Sequence, residues 1–141
     1  MKPSGSQPIA EYGANQAVHR LRTLAYEINR VAKSGDPQAI HDARVASRRL
    51  ARCLHVFRQF FPKRENERIL RRLRRLLGLA ANVRNCDIAL ELLAASGIAR
   101  TDKIAANLTE ERQKAARDLR LLTQRWNRRE AVRRWRERIG L

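Results

Sequence analysis

The sequence has few cysteines and no long apolar run, and each shortage excludes a class of protein. Its 141 residues include only two cysteines, Cys53 and Cys86, whose separation fits neither a metal site nor a redox motif. We therefore expect both to be reduced core residues. No apolar run is long enough to span a bilayer, and no signal-peptide pattern is present. We expect one cytoplasmic domain, long enough to bury a real core.

Acidic residues are scarce relative to basic ones. Asp and Glu total 14 and Lys and Arg total 31, a formal net charge of +17. Residues 44–75 carry 12 basic against 2 acidic residues, and residues 112–138 carry 11 against 3, whereas residues 1–43 carry 5 against 4. Such a field attracts nucleic acid, polyphosphate or an anionic membrane. Arg greatly outnumbers Lys, and its guanidinium binds phosphate oxygens in a bidentate geometry.

Every periodic segment has helical spacing, and none alternates as a strand does. After a loose terminus at residues 1–8, we predict helices over about Ile9–Lys33, Pro37–Phe61, Arg64 to a stop at Gly97, a Thr101 or Asp102 cap to Gln124, and Asn127–Ile139. Gly78 and Asn82 could bend the third of these. The short turn Ser34–Pro37, with Asp36 as N-cap, predicts antiparallel first and second helices. The sequence therefore predicts an all-α fold, an antiparallel four-helix bundle with a short additional C-terminal helix.

One face of the second helix is predicted to be cationic. At about 100° per residue, six polar side chains share the face opposite the apolar stripe: His41, Arg44, Arg48, Arg52, His55 and Gln59. An ordinary solvated face mixes charges of both signs three or four residues apart, whereas Asp42 is the only acid in this helix. Because stacked like charges cost stability, we interpret the face as a binding site rather than a bland surface.

Three charged residues fall within predicted apolar stripes: Arg84 and Asp87 in the third helix and Arg112 in the fourth. Buried charges need partners. They either form a cross-helix ion pair, such as Asp87 with Arg112, or line the end of a phosphate-binding groove.

Aromatic residues are few: two Trp, two Tyr and three Phe. Few rings remain to stack bases, which argues against single-strand recognition, but nucleic-acid backbone binding stays an alternative. The three histidines are too scattered to predict a metal site, and no glycine-rich phosphate loop or paired carboxylates lie near them. An enzyme, either a phosphotransferase or a polyphosphate-processing hydrolase, is a weaker alternative. The basic faces lack the bulky apolar residues that insert into lipid, so no membrane partner is expected.

Two segments resemble a known family. Residues 41–50, HDARVASRRL, resemble the opening signature of CHAD domains, the conserved-histidine α-helical domains, and residues 84–88, RNCDI, resemble their later Arg-Asp-x-Asp-Val segment. The resemblance covers about Ile9 to Trp135. There are departures: Ala51 stands where an arginine is usual, with Arg52 one place later, and Asn85 replaces an aspartate.

The resemblance implies binding of inorganic polyphosphate in a basic groove. We expect this binding to be non-catalytic and without cofactor or metal, and we expect an association with polyphosphate granules. The usual domain contains two similar bundles and this chain has one, so the resemblance implies a homodimer. The family histidine corresponds to His41, and its arginines to Arg44, Arg48 and Arg49. With the cations of the third and fourth helices, the candidate polyphosphate-binding residues are His41, Arg44, Arg48, Arg49, Arg52, His55, Arg71, Arg72, Arg75, Arg84, Arg112, Lys114 and Arg117.

Overall fold

A computed structural model describes residues 6–141, which are helical throughout apart from short turns and contain no strand. The elements are α1 (Ser6–Lys33), α2 (Pro37–Val56), a 3₁₀ turn (Arg58–Phe60), α3 (Lys63–Ala95), α4 (Lys103–Arg128) and α5 (Ala131–Arg138). The predicted all-α fold is confirmed. Of the predicted loose terminus, residues 1–8, the first five residues lie outside the described part. Its last three residues belong to α1, which begins before the predicted Ile9.

The turn between α1 and α2 forms as predicted. Gly35 adopts a left-handed φ of +62°, a conformation that glycine accepts at little cost. Asp36 caps α2, its carboxylate accepting a hydrogen bond of 2.8 Å from the backbone N–H of Ala39, and Pro37 occupies the first turn. These contacts hold the pKa of Asp36 below its ordinary value, chiefly through the Ala39 N–H.

Helix α2 ends at Val56, five residues before the predicted end at Phe61. The amide of Asn66 in α3 donates to the carbonyl of Leu54 at 3.1 Å, so a side chain takes over one of the final α2 carbonyls. Phe61 is extended, with φ −118° and ψ 152°, as expected for a residue that precedes a proline. The prediction was wrong here because one apolar periodicity runs through the helix and the turn that follows it.

Helix α3 runs without interruption through Gly78 and Asn82. Helix α4 begins at the Asp102 cap, whose carboxylate accepts from the Ile104 N–H at 2.9 Å. It ends at Arg128, four residues later than predicted, and α5 accordingly begins at Ala131.

The four long helices form an antiparallel bundle in which chain neighbours are also neighbours in space. Helix α1 packs against α2 and α4, and α3 packs against the same two, so α2 and α4 lie diagonally opposite. The core is built mainly from Leu, Ile, Val and Ala side chains of the four inner faces. Both cysteines are buried and free. Helix α5 covers one end of the bundle by burying Trp135.

Candidate anion-binding groove

The cationic face of α2 lies on the outside of the bundle. Helix α2 is regular from Pro37 to Val56, so His41, Arg44, Arg48, Arg52 and His55 fall within an arc of about 80°. We call these five residues the basic row. Four of them are exposed and Arg44 is half-buried. Gln59, predicted on the same face, lies in the 3₁₀ turn beyond the end of α2 and is not part of the row.

The one acid of α2 is turned away from the basic row. The carboxylate of Asp42 accepts hydrogen bonds from Arg30 of α1 at 2.8 Å and from Gln38 at 2.9 Å. The Arg30 guanidinium is also the main reason why the pKa of Asp42 lies below its ordinary value. Arg30 meets Glu27 as well, at 2.8 Å. Helix α1 therefore neutralises Asp42 without involving the row.

The basic row itself has no acidic partner in the described chain. Among residues 8–141, whose side chains are described, no carboxylate lies within 4.0 Å of any cationic group of the row. Arg49 is likewise unpaired, but it follows Asp42 by seven residues and so lies almost in line with it on the α1 side of the helix. Arg49 therefore borders the α1 flank and not the side of α2 that faces α3.

A groove runs between the N-terminal half of α2 and the C-terminal half of α3. Its volume is about 520 Å³, and its cationic lining comes from His41, Arg44 and Arg84. Ile40, Ala80 and Val83 supply an apolar floor, and Pro37, Gln38 and Asp87 complete the lining. We call this the α2–α3 groove. The groove lies between one end of the basic row, at His41 and Arg44, and Arg84, the predicted α3 arginine that lines the groove.

The three charged residues of the apolar stripes divide between the two predicted roles. Arg112 of α4 forms an ion pair with Asp87 of α3, and both side chains are about three-quarters buried. This confirms the cross-helix pair. Arg84, in contrast, is exposed and lines the groove, so its expected place within the apolar stripe was wrong. Arg84 follows Arg72 by twelve residues in α3, so the two side chains are about 120° apart around the helix axis, with Arg84 on the side of α2.

The other predicted arginines of α3 lie elsewhere. Arg72 and Arg75 line a second cleft, against α4 and α5, and Arg71 is exposed without lining any of these cavities. The candidate set grouped these arginines with the basic row, but none of them lines the α2–α3 groove. One face of α3 meets α2 and another meets α4, and arginine occupies both flanks.

The two cations of α4 are also outside the groove. Lys114 lies between α3 and α4, in a cavity that Glu111 and Asp118 also line. Arg117 is exposed. Because α4 is diagonally opposite α2 in the bundle, neither residue can join the basic row in the same chain.

Sequence reasoning missed the cations that α4 and α5 place near Arg72 and Arg75. These are Arg125, Arg129, Arg134 and Arg138. Each helix carries its pair four residues apart, the same spacing that identified the basic row, and this signal was available in the sequence. Their convergence with α3, however, depends on the direction in which α5 leaves α4, which the sequence pattern does not give.

Within residues 8–141, no three His, Cys, Asp or Glu side chains come together as a metal site would require. None of the helices in the described chain combines the length and apolar character needed to cross a membrane.

Comparison with curated proteins gives no match, and comparison with solved structures gives none either. The family model of the CHAD domain matches residues 15–140, nearly the whole chain. The match includes both segments that resemble the family, and the helical bundle agrees with it. The chain belongs to the CHAD domain family.

Proposed function

We propose that this protein binds inorganic polyphosphate along the basic row and in the α2–α3 groove, without catalysing its turnover. The CHAD family is known for polyphosphate binding. The observation that carries the proposal is the basic row itself, a line of three arginines and two histidines that has no acidic partner among residues 8–141. Between His41 and His55 the helix rises by about 21 Å, so the row offers successive contacts to an extended chain.

Polyphosphate matches this surface in its chemistry. Each repeating unit is negatively charged, no base or side group needs a shaped pocket, and the chain is flexible. Guanidinium groups form bidentate, charge-assisted hydrogen bonds with phosphate oxygens. Binding should release counterions and weaken as the salt concentration rises.

The decisive experiment reverses charge on the row. We expect Arg44→Glu/Arg48→Glu to lose binding of long-chain polyphosphate in calorimetric titration while its far-UV circular dichroism is unchanged. Arg22→Glu/Arg128→Glu is the matched control, because it changes the net charge equally at two exposed residues outside the groove. Tight binding by the first variant, or equal weakening in both variants, would refute the assignment to the row.

Two further measurements test the alternatives. Competition between polyphosphate and duplex DNA for labelled protein, at matched charge and salt, separates a polyphosphate site from general binding to nucleic-acid backbone. Gel analysis of polyphosphate length after incubation with the protein tests for turnover. Preference for DNA would favour the nucleic-acid alternative, and shortened polyphosphate would establish an enzyme.

We also propose a homodimer formed through the α3–α4 hairpin tip, residues 88–111. Helix α2 begins beside Val83 and Asp87, and α3 continues from there for eight more residues, about 12 Å. The tip thus extends beyond α2 with exposed apolar side chains, among them Leu92, 64% exposed, and Ile104, 59% exposed.

Charge favours a second copy of the chain as the partner at this tip. Residues 88–111 carry four acidic against two basic residues, a net charge of −2 in a chain of +17. Two such chains repel each other over most of their surface, and this segment is where they can approach without repulsion between basic patches. The α2–α3 groove reaches Asp87 at the base of the tip, so pairing here would bring the two grooves near one another.

Light scattering tests the dimer directly, with and without long-chain polyphosphate. We expect twice the monomer mass for the unmodified protein and a monomer for Leu92→Glu/Ile104→Glu with unchanged helicity. A monomeric unmodified protein in both conditions would exclude the dimer and leave the groove within one chain.

A further inference from the structure

A second basic cleft lies at the end of the bundle opposite the hairpin tip, where α3 begins and α4 ends. Its volume is about 370 Å³. Helix α3 contributes Arg68, Arg72 and Arg75, one beside the next at spacings of four and three residues. These side chains share the flank of α3 that faces α4.

The other walls come from α4 and α5. Arg125 and Arg129 line the cleft from the last turn of α4 and the turn after it, and Arg134 and Arg138 line it from α5. The chain reverses at Glu130, whose φ of +49° is left-handed although the residue is not glycine. Such a conformation carries strain for a residue with a side chain, and here it directs α5 back across the bundle.

Two tryptophans fix α5 in this position. Trp126 of α4 and Trp135 of α5 meet edge to face, with ring centroids 5.0 Å apart and an interplanar angle of 77°. Both rings line the cleft and are more than 90% buried. Edge-to-face pairs add about 0.5–1.5 kcal/mol beyond the burial of their area. The floor is therefore rigid, and the arginines of α5 stand on a fixed element.

Within the described part of the chain, no carboxylate lines the cleft. Among residues 8–141, the acid within salt-bridge distance of a lining arginine is Glu65, 3.7 Å from Arg68. The two acids of the α5 region are occupied by Arg133, which meets Glu130 at 2.9 Å and Glu137 at 3.8 Å. In the described residues, seven guanidinium groups therefore share one small cavity with a single acid at its edge.

Arg72 is partly buried among these charges. Partial burial, followed by the charges of Arg68 and Arg138, lowers the pKa of Arg72 from its ordinary value. Arg72 stays charged nonetheless, because arginine is not deprotonated in proteins near neutral pH. Mutual repulsion on this scale destabilises the folded chain unless an anion relieves it.

We propose that this arginine cleft is a separate binding site for a compact polyphosphorylated molecule, with three or more phosphate groups on one small linear or cyclic scaffold. The basic row presents cations in a line, as an extended polymer requires. The arginine cleft presents cations from three helices around one cavity, so several phosphates held close together can each meet a guanidinium fork.

The test compares Arg134→Gln/Arg138→Gln with Arg22→Gln/Arg128→Gln. Both variants remove two exposed arginines, but the second pair lines neither the arginine cleft nor the α2–α3 groove. Each protein is titrated calorimetrically with tripolyphosphate, with inositol hexakisphosphate and with long-chain polyphosphate. The first two probes distinguish a linear from a cyclic scaffold.

We expect the unmodified protein to bind at least one compact probe. We expect Arg134→Gln/Arg138→Gln to weaken that binding on the order of tenfold or more, with long-chain binding and the control within about twofold. Equal weakening in the control, or no binding of either probe to the unmodified protein, would overturn the proposal. If the Gln variant does not fold, Arg134→Lys/Arg138→Lys replaces it, because it retains both charges. This variant should also bind the compact probe more weakly than the unmodified protein, because Lys lacks the guanidinium fork.

The two sites are distinguishable by the reciprocal variant. Arg44→Glu/Arg48→Glu should lose long-chain polyphosphate and retain the compact probe. If it retains both ligands, the function proposed for the row fails while the arginine cleft stands. If each pair of substitutions abolishes both ligands, one shared basic field accounts for binding and the separate cleft is refuted.

Discussion

The sharpest test of the groove compares two arginines on one helix. Arg84 and Arg71 both belong to α3 and are both exposed, but they are about 140° apart around it. Arg84 lines the α2–α3 groove with His41 and Arg44, whereas Arg71 does not. Replacing either with Gln removes the same single charge, so the difference between the variants measures contact with ligand and not the overall field.

The expected size follows from the exposure of Arg84. A hydrogen bond to a charged group contributes about 1.5–3 kcal/mol when shielded from water, and exposed ion pairs contribute about 0.2–1 kcal/mol. For a side chain at the edge of an open groove we expect about 1 kcal/mol, which is roughly a fivefold change in the dissociation constant.

Calorimetric titration with long-chain polyphosphate at fixed salt measures this difference. We expect Arg84→Gln to bind roughly fivefold more weakly than Arg71→Gln, and Arg71→Gln to differ little from the unmodified protein. Equal affinities of the two variants would mean that polyphosphate responds to net charge alone, and the groove would lose its role.

Three predictions concern the fold. Nothing lies within 4 Å of a Cβ at Gly78, so Gly78→Ala should stabilise α3 by about 1 kcal/mol and raise the melting temperature by about 3 °C. A Cβ at Gly13 would lie 2.7 Å from the Phe57 ring, so overpacking should lower the free energy of unfolding of Gly13→Ala, measured in urea, by up to about 2 kcal/mol. Equal stabilisation by Gly78→Ala and Gly13→Ala would show that the Phe57 side chain moves aside without cost. Asp42 has a lowered folded-state pKa because of Arg30, so its pair stabilises the fold fully above pH ~4, and this contribution is lost as the pH falls from there through the folded-state pKa. The urea midpoint of Asp42→Asn should therefore lie below that of the unmodified protein at pH 7, and the difference should shrink as the pH falls below ~4; a constant difference would contradict this linkage.

The helices were predictable because their signals are local. Apolar spacing, the Asp36 cap and the Pro37 start are all properties of neighbouring residues, and each was confirmed. The end of α2 was not predictable in the same way. The contact that closes it is between Asn66 and the Leu54 carbonyl, twelve residues apart, and nothing near Val56 in sequence indicates that partner.

The basic row was predictable for the same reason, since one regular helix determines which of its residues share a face. The partners of the row were not. Arg84 and Arg75 are both α3 arginines, and the sequence alone does not say which flank of α3 meets α2. Periodicity identifies the apolar face of a helix and leaves the order of its neighbours around the bundle open. The pattern therefore did not separate Arg84, which lines the groove, from Arg72 and Arg75, which line the other cleft.

The placement of the acids explains how a chain of such charge folds and still keeps bare arginine surfaces. Asp42 pairs with Arg30, and Asp87 pairs with Arg112, so these carboxylates serve contacts between helices. Each neutralises a cation that lies between packed elements, where an unpaired charge would cost most. Among residues 8–141, the basic row keeps its positive charge because Asp42 pairs with α1, and the arginine cleft meets only Glu65, at its edge, because Arg133 holds Glu130 and Glu137. Selection for an anionic ligand would produce this division, since a carboxylate placed on either surface would stabilise the free protein and compete with phosphate for the same guanidinium groups.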